Sequence, residues 1–471
     1  MNNQIQMLNK YYFVGIGGIG MSALAEYMQG LNNQICGCDS DIDREIIYNL
    51  QKKNIFITNE ENVYEELLKI NPNFIVITNT VLDNHPAIIF AKKFNIKILK
   101  RSELLGNISN DKNLIGITGS HGKTSTTGLI SHIFIKENRF PTIFVGGIMP
   151  LINNNFIKGT SNDFILEADD AYKSFLDLTP STSIVTNISY EHLETYKDWN
   201  DIENSFLQYI NNTKINGNII INNDDEVMKK FSKKINREFI TYGLEINQNN
   251  YSASNILLND FNSEYTLFIN QKEICQVCLS IPGIHQIKNS LAAIIASMKN
   301  NIPIENIVKY LNSYNGVNRR FEFIGYLNKC KIYDDYGHHP KELNMIFETL
   351  CNAHKNNKKI VFFQPHKYTR TKFLWNDFIE VFNNFKYKID KFYITDVYAA
   401  GDLFDKEYNS QELIKNLKSI NVNSEYIPFE KDFFSLILEA RSIKNNLNEN
   451  DAILCLGAGL LDNFAKILTL I

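Results

Sequence analysis

The sequence carries no excess of basic residues. Its 471 residues include 48 lysines and arginines against 52 aspartates and glutamates, which gives a formal net charge of -4 at neutral pH. A protein that binds nucleic acid through phosphates needs a broad basic surface, and this composition does not supply one. We therefore expect no nucleic-acid partner, and any phosphate-bearing ligand must be bound by a local site.

Long apolar runs and closely spaced cysteines are also missing. No stretch approaches the roughly 18 apolar residues of a membrane span, and the opening MNNQIQMLNK lacks the basic start and apolar run of a secretory signal peptide. The seven cysteines are scattered and odd in number, unlike a secreted disulfide scaffold. Cys275 and Cys278 have the spacing of half a zinc site, but their alternating apolar segment favours ordinary strand packing. We expect a cytoplasmic protein with reduced thiols and no membrane insertion.

The chain is too long for a single hydrophobic core, because single domains rarely exceed about 300 residues. Short apolar runs alternate with helical patterns, which predicts α/β units with parallel sheets. A β-rich stretch from about Arg237 to Ser280 interrupts this alternation, and the character of the sequence changes again near Asn315. We predict three α/β domains: a Rossmann-like domain at 1–107, a central P-loop-type α/β domain at 108–315 and a Rossmann-like α/β domain at 316–471.

The first predicted strand runs directly into a glycine-rich turn, GIGGIGM. Gly15, Gly17 and Gly20 would let the backbone turn tightly and approach a pyrophosphate at the N-terminus of the next helix. Asp39 ends the following strand, where a carboxylate can reach a ribose hydroxyl. The same glycines also fit a turn needed only for close packing, and the whole pattern also fits a nicotinamide-dependent dehydrogenase.

A second glycine loop, GSHGKTS, follows another strand and opens another helix. Its backbone amides, the Lys123 ammonium and the Thr124 hydroxyl would converge on a polyphosphate and Mg²⁺. The loop is shorter than the standard P-loop, but a plain helix-starting turn seldom combines two glycines with Lys and Thr. The sequence therefore predicts a nucleotide-phosphate site.

Acidic and histidine residues follow two further predicted strands. Glu167 ends FILE and His192 lies just past SIVTNI, so both would project from the carboxyl edge of a parallel sheet, where such folds bind ligands. Glu167 is a suitable hard oxygen ligand for Mg²⁺, whereas His192 is an unusual one and taken alone fits a surface or core histidine better. For Asp170, beside Asp169, we prefer a position in a solvated acidic loop.

Two polar clusters end two strands near the C-terminus. One contains Asp334, Asp335, Tyr336, His338 and His339, and it follows a pair of arginines; the other is QPHKYTR. Paired arginines are usually solvated, and clustered His and Asp residues can cap helices. Two such clusters at the ends of two strands are better explained by one shared cleft.

Taken in order, these segments resemble the Mur ligase family along essentially the whole chain. GIGGIGM resembles the family's uridine-nucleotide loop, GSHGKTST its ATP loop, EADD its acidic metal motif, TNISYEHLETY its histidine-bearing motif and PGIHQIKNSLAA its adenine-contacting segment. RRFE, DDYGHHPKE and QPHKYTR follow in the family's order. Any one motif is weak, but the ordered series is specific.

The resemblance implies an enzyme that uses ATP and Mg²⁺ to join L-alanine to the carboxylate of UDP-N-acetylmuramate through an acyl phosphate, during peptidoglycan synthesis. We expect a monomer or weak homodimer. The implied site residues are Gly15, Gly17, Gly18, Gly20 and Asp39 for the UDP-sugar; Gly119, Ser120, His121, Gly122, Lys123, Thr124, Ser125, His285, Asn289 and Arg320 for ATP; Thr124, Glu167 and His192 for the metal; Tyr336, His338, His366, Lys367 and Arg370 for the amino acid; and Lys123, Arg320 and His338 for catalysis.

Several positions depart from the family pattern. DAYK at 170–173 replaces a more acidic run, Glu191 stands where Asp is usual, and Ile284 and Lys367 each replace an Arg. Lys367 matters most, since Lys cannot make the planar two-point contact that Arg makes with a carboxylate. The role of GAGLLDNF near the C-terminus stays open. A recycling ligase that attaches a preformed tripeptide shares most of these motifs and is the main alternative; a nicotinamide-dependent dehydrogenase and a non-catalytic nucleotide-gated protein are more distant ones.

Overall fold

The computed structural model describes residues 9–191, 195–259 and 261–471. Strands alternate with helices along the chain, which confirms the α/β fold class predicted from the sequence. In the described ranges, no helix is both long enough and apolar enough to cross a lipid bilayer. The chain divides into two compact units, the first formed by Met1–Ser252, Ile269–Gln271 and Leu291–Tyr310, and the second by Ala253–Phe268, Lys272–Ser290 and Leu311–Ile471.

The N-terminal part of the first unit is a five-stranded parallel sheet. Its elements are β1 Lys10–Val14, α1 Ile19–Gln29, β2 Gln34–Cys38, α2 Glu45–Lys52, β3 Phe56–Thr58, α3 Val63–Ile70, β4 Phe74–Ile77, α4 Pro86–Phe94, β5 Lys97–Lys100 and α5 Arg101–Ser109. The strand order is β3-β2-β1-β4-β5. Tyr11 and Phe13 pack in one hydrophobic cluster and Tyr12 and Val14 in another, so both faces of β1 are buried, as in other parallel sheets.

The central part of the first unit is a second α/β layer. Its elements are β6 Asn113–Thr118, α6 Lys123–Lys136, β7 Thr142–Met149, β8 Asn154–Ile157, β9 Asp163–Glu167, β10 Thr182–Val185, α7 Trp199–Asn211, β11 Asn218–Asn222, α8 Glu226–Ser232 and β12 Ile240–Gly243. The strand order is β8-β7-β9-β6-β10-β11-β12, and β7 and β8 form an antiparallel hairpin. Because β9, β6 and β10 are adjacent and parallel, the segments that follow them meet at one edge of the sheet.

Helix α1 packs directly on this central sheet. The ring of Tyr27 lies 5.9, 6.3 and 6.0 Å from the rings of Phe144, Phe156 and Phe164. At the other end of the helix, Asn155 Nδ2 donates a hydrogen bond of 3.2 Å to the backbone oxygen of Ile19. The first two sheets therefore share one hydrophobic core.

The β-rich stretch predicted near 237–280 is present. Together with the helices that follow it, this stretch forms β13 Tyr251–Leu258, β14 Ser263–Ile269, β15 Lys272–Leu279, α9 Ile284–Lys299 and α10 Ile304–Leu311. Cys275 and Cys278 lie in β15, and neither forms a disulfide. Strand packing, as the alternating pattern predicted, accounts for this pair.

The C-terminal part of the chain contains a six-stranded sheet. Its elements are β16 Glu322–Leu327, β17 Cys330–Asp335, α11 Pro340–Ala353, β18 Lys359–Phe363, α12 Tyr368–Phe373, α13 Trp375–Phe385, β19 Lys391–Ile394, α14 Ser410–Ser419, β20 Ser424–Tyr426, α15 Phe434–Lys444, β21 Ala452–Leu456 and α16 Leu461–Leu468. The strand order is β16-β17-β21-β18-β19-β20, and only the edge strand β16 is antiparallel to its neighbour. The carboxyl ends of β17, β18 and β21 consequently lie side by side.

Candidate active site

The loop between β6 and α6 depends on its two glycines. Gly119 has φ +132°, and a Cβ there would lie 2.2 Å from Thr186 Oγ1 and 2.8 Å from the backbone oxygen of Asn187. Gly122 has φ +81° and is the residue before the first turn of α6. A side chain at Gly119 would thus meet both strain and overlap, and Gly122 adopts a backbone conformation that favours glycine.

The shape of this loop is fixed by Asn187, which lies just past β10. The backbone oxygen of Asn187 accepts from Ser120 N at 3.1 Å. Its side chain forms two further bonds of 2.9 Å, accepting from His121 N through Oδ1 and donating from Nδ2 to His121 O. His121 Nε2 in turn lies 3.1 Å from Glu191 Oε1. Asn187 was not among the site residues predicted from the sequence, although it lies within the motif TNISYEHLETY.

Lys123 is held by the loop and by Asp170. Its ammonium donates to the backbone oxygens of Gly119 and Ser120 and to Asp170 Oδ1, the last at 2.8 Å. Burial by itself lowers the pKa of Lys123, but the carboxylates of Asp170, Asp169 and Glu191 outweigh it, so the pKa is raised and the side chain is charged.

The sequence-based preference for a solvated Asp170 is wrong. The residue is 2% exposed and pairs with Lys123. The chain turns sharply just after Asp170, where Tyr172 and Lys173 adopt positive φ angles of 53° and 55° and Lys173 N donates to the backbone oxygen of Asp170 at 3.1 Å. The hydroxyl of Tyr196 also donates to the backbone oxygen of Asp170 at 2.7 Å.

Thr124 and Glu167 place two oxygen atoms, both suitable as metal ligands, close to each other beside Lys123. Thr124 Oγ1 donates to Glu167 Oε1 at 3.0 Å, and Gly146 N donates to Glu167 Oε2 at 2.6 Å. Two neighbouring ligands of an octahedral magnesium ion are about 3 Å apart, so the spacing of these two oxygen atoms fits the metal. His192, the third predicted ligand, lies outside the described residues.

The first glycine loop is supported by Asp39, which is buried. Asp39 Oδ2 accepts from Gly17 N at 2.7 Å, while Oδ1 accepts from Arg44 Nη2 at 2.8 Å and from Asp41 N at 3.1 Å. A Cβ on Gly17 would overlap both Asp39 and Arg44. Asp39 therefore shapes the loop, and its contact with a ribose stays a prediction.

In the second unit, Arg319 is a structural residue. Its guanidinium contacts Asp334 Oδ2 at 3.2 Å and donates to the backbone oxygen of Gly457 at 2.6 Å. Burial raises the pKa of Asp334 to about 7, and Arg319 opposes that rise. This network ties the RRFE segment to the GAG loop, whose role the sequence left open.

Asp335 lies beside Arg320 in this unit. Asp335 accepts from the backbone amides of Phe321 at 2.7 Å and Gly337 at 2.6 Å. Burial raises the pKa of Asp335 to about 6, although the charge of Arg320 and both amides lower it.

Burial, followed by the charges of Arg320 and Lys288, lowers the pKa of His285 to about 4. Asn289 follows one turn later in α9 and donates to Gln286.

Four of the residues predicted for the amino-acid site come together. The rings of Tyr336 and His338 are 5.6 Å apart, and those of His338 and His366 are 5.4 Å apart. Arg370 Nη1 lies 3.0 Å from His366 Nδ1, and burial, then His338 and Arg370, lower the pKa of His366 to about 3. His366 is therefore neutral, with Nδ1 free to accept from Arg370. Lys367 immediately precedes α12 and has φ +68°.

The GAG loop packs against Gln364 in the same region. Gln364 is buried, and its Oε1 accepts from Leu460 N at 3.0 Å. A Cβ on Gly459 would lie 2.0 Å from that oxygen, and one on Gly457 would lie 2.6 Å from the Gln364 backbone oxygen. The loop thus needs glycine for close approach to β18, which gives it a structural role.

Comparison with known proteins identifies the class to which this fold and site belong. Models of the Mur ligase family match consecutive parts of the chain: the catalytic domain at residues 10–113, the middle domain at 117–297 and the glutamate ligase domain at 319–459. The chain belongs to the Mur ligase family. It is 33% identical over 463 residues to the UDP-N-acetylmuramate--L-alanine ligase of Hydrogenobaculum sp. (strain Y04AAS1), with 98% of each chain covered.

Solved structures share the fold. The UDP-N-acetylmuramate-alanine ligase of Thermotoga maritima matches with a TM-score of 0.80, 24% identity and 98% of each chain covered. A murein peptide ligase from Psychrobacter arcticus 273-4 matches with a TM-score of 0.69, 18% identity, and 98% of this chain and 99% of that chain covered. At these identities the solved structures are evidence for the fold alone. Family membership favours a ligase over the dehydrogenase alternative.

Proposed function

We propose that this protein joins L-alanine to the carboxylate of UDP-N-acetylmuramate at the expense of ATP. Family membership supports an ATP-dependent ligase, and the full-length relative carries the name of this activity. The main support for the proposal is that one hairpin bonds both to the start of α1 and to Glu167, the partner of Thr124. Gly146 of β7 binds Glu167 beside Thr124, and Asn155 of β8 binds Ile19 at the start of α1.

The chemistry explains why a ligase needs two adjoining phosphate sites. A carboxylate does not condense with an amine in water, because its oxygen is a poor leaving group. Attack of the muramate carboxylate on the γ-phosphorus of ATP breaks the bond to ADP and forms an acyl phosphate. The amine of alanine then attacks the acyl carbon, loses a proton and expels inorganic phosphate, which leaves the amide.

Both steps build negative charge on phosphoryl or tetrahedral oxygens, which fixed positive groups stabilise. We assign Lys123 and the amides of residues 119–125 to the ATP phosphates. Thr124 and Glu167 would hold Mg²⁺, which neutralises phosphate charge when bound. We further assign Arg320 to the γ-phosphate, and His285 and Asn289 to the adenine.

The acceptor amino acid is assigned to the cluster of Tyr336, His338, His366 and Arg370. Arg370 gives one donor to His366 and has further N–H groups for a carboxylate, which suits a free amino acid. Lys367 would add a point charge. His338 is assigned as the base for the amine, because His366 is a weak base at its lowered pKa of about 3.

The three functional regions are proposed to be 1–107 for the UDP-sugar, 108–315 for ATP and 316–471 for the amino acid. We propose that the enzyme acts in the cytoplasm, where ATP is available, as a monomer or weak homodimer. Size-exclusion chromatography with light scattering tests the oligomeric state.

A phosphate-release assay with defined acceptors tests the proposed function. The purified protein is given ATP, Mg²⁺ and UDP-N-acetylmuramate with alanine, serine, glycine or a preformed tripeptide. We expect phosphate release that requires both substrates, with alanine preferred and with no turnover by Lys123→Ala. A preference for the tripeptide would identify a recycling ligase instead, and full turnover by Lys123→Ala would contradict the ATP-loop assignment.

A further inference from the structure

Arg101 lies against the first glycine loop. It is the first residue of α5 and follows β5 without an intervening loop, so the backbone fixes where its side chain begins. A Cβ built on Gly20 would lie 2.6 Å from Cζ, Nε and Nη2 of Arg101. The guanidinium therefore occupies the space that any side chain at position 20 would need.

This guanidinium has donors but no acceptor. Arg101 Nε is buried and makes no hydrogen bond with any residue that the structure describes. Its Nη groups likewise form no hydrogen bond or ion pair within the described parts of the chain. Buried donors are nearly always satisfied in folded proteins, so an unsatisfied guanidinium signals a missing acceptor.

The acidic motif of the central sheet acts on Arg101 through its charge. Burial lowers the pKa of Arg101, and the carboxylates of Asp169 and Glu167 act against that fall. Those carboxylates have other partners, since Glu167 accepts from Thr124 and Gly146, and Asp169 accepts from Ala171 N. They therefore balance the charge of Arg101 from a distance and leave its N–H groups open to a ligand.

We propose that Arg101 binds an oxyanion of the UDP-sugar beside the N-terminus of α1, and that Gly20 is glycine so that the guanidinium can lie there. The inference rests on the proposed function and adds a residue to its sugar-nucleotide site. The oxyanion is either the pyrophosphate or the muramate carboxylate. The position of Arg101 favours the pyrophosphate. Its neighbour Gly20 lies in the first turn of α1, and helix N-termini bind phosphates.

Calorimetric titration of the full-length protein with two sugar nucleotides tests this inference. UDP-N-acetylmuramate carries both oxyanions, whereas UDP-N-acetylglucosamine carries the same pyrophosphate and lacks the carboxylate. Arg101→Met should weaken binding roughly 10- to 100-fold, as expected for loss of charge-assisted hydrogen bonds. Arg101→Lys should recover part of that loss, because it keeps the charge without the fork of donors.

Gly20→Ala offers an independent variant. The added methyl group must displace the guanidinium, so binding should weaken although position 20 itself loses no donor. Alanine favours a helix more than glycine does, so the backbone of α1 is not expected to suffer. The double variant Gly20→Ala/Arg101→Met should bind no more weakly than Arg101→Met alone, since both changes remove the same contact.

The matched control is Arg441→Met, which replaces an exposed arginine of α15. It should leave the affinity for both sugar nucleotides unchanged. ADP binding, measured in parallel, should be unchanged in Arg101→Met and reports an intact ATP loop. Equal weakening for both nucleotides assigns the pyrophosphate, and weakening for UDP-N-acetylmuramate alone assigns the carboxylate. Unchanged affinity for both in Arg101→Met overturns the inference. Wild-type protein that binds neither nucleotide would instead contradict the proposed function.

Discussion

The buried pair of Lys123 and Asp170 leads to a prediction with two parts. Removing the charge of Asp170 should lower the free energy of unfolding and raise the affinity for nucleotide. Asp170→Asn keeps the shape of the side chain and removes its charge. At 2.8 Å and an effective dielectric constant near 20, the attraction is about 6 kcal/mol before desolvation is counted. Removing one partner of a buried pair costs roughly 3–5 kcal/mol. Lys123 keeps two carbonyl acceptors and the new side chain keeps an amide oxygen, so we expect a loss of about 2 kcal/mol in unfolding free energy.

The same substitution should tighten nucleotide binding. An ammonium has three donors, and all three of Lys123 are engaged, with Gly119, Ser120 and Asp170. Contact with a phosphate therefore requires that Lys123 release a partner, and an uncharged amide at position 170 is easier to release than a carboxylate. The variant also loses a negative charge that repels the triphosphate.

Urea denaturation and ADP titration measure the two effects. The matched control is Asp111→Asn, which changes an exposed carboxylate between α5 and β6 and should alter stability by less than about 0.5 kcal/mol. Because the pKa of Lys123 is raised, its stabilising charge is fully present below its ordinary value of 10.5 and is lost only as pH rises through the higher folded value. The difference between Asp170→Asn and wild type should therefore be constant from pH 6 to 9. Equal stability of the two variants would refute this reasoning.

Three further predictions concern the metal, the acceptor and a buried acid. Glu167→Gln should raise the Mg²⁺ concentration for half-maximal phosphate release at least about 10-fold, and an unchanged titration would remove Glu167 from the metal site. Lys367→Arg should lower the KM for alanine without raising kcat; a constant KM would show that this side chain does not contact the substrate. Asp335 has its pKa raised to about 6, so its folded form is favoured while protonated, and that contribution is lost as pH rises through 6. Stability should fall by about 1 kcal/mol between pH 5 and 7.5 in wild type relative to Asp335→Asn, as measured by urea denaturation, and parallel pH profiles would contradict the assignment.

Local patterns were enough to predict the α/β class, the β-rich stretch and both glycine loops. Each depends on residues close together in sequence: an apolar strand, glycines at its end and a helix that follows. The hard oxygen pair of Thr124 and Glu167 was also predictable, because parallel neighbouring strands bring their carboxyl ends together.

What the sequence did not reveal depends on distant contacts. The burial of Asp170 was not predicted because its partner, Lys123, lies 47 positions earlier. Asn187 was missed because its partners lie 66 positions earlier. Gly20 fitted the phosphate-loop pattern, but its structural neighbour is Arg101, which no spacing rule connects to it.

The hydrogen bonds between Asn187 and the ATP loop have a practical consequence. The shape of residues 119–122 depends on a residue that follows β10, so Asn187 helps to set the geometry of the phosphate-binding loop from outside the loop itself. Laboratory selection for altered ATP affinity should therefore include position 187 in its libraries. Compounds that separate Asn187 from His121 are expected to change the shape of the loop and so to weaken nucleotide binding.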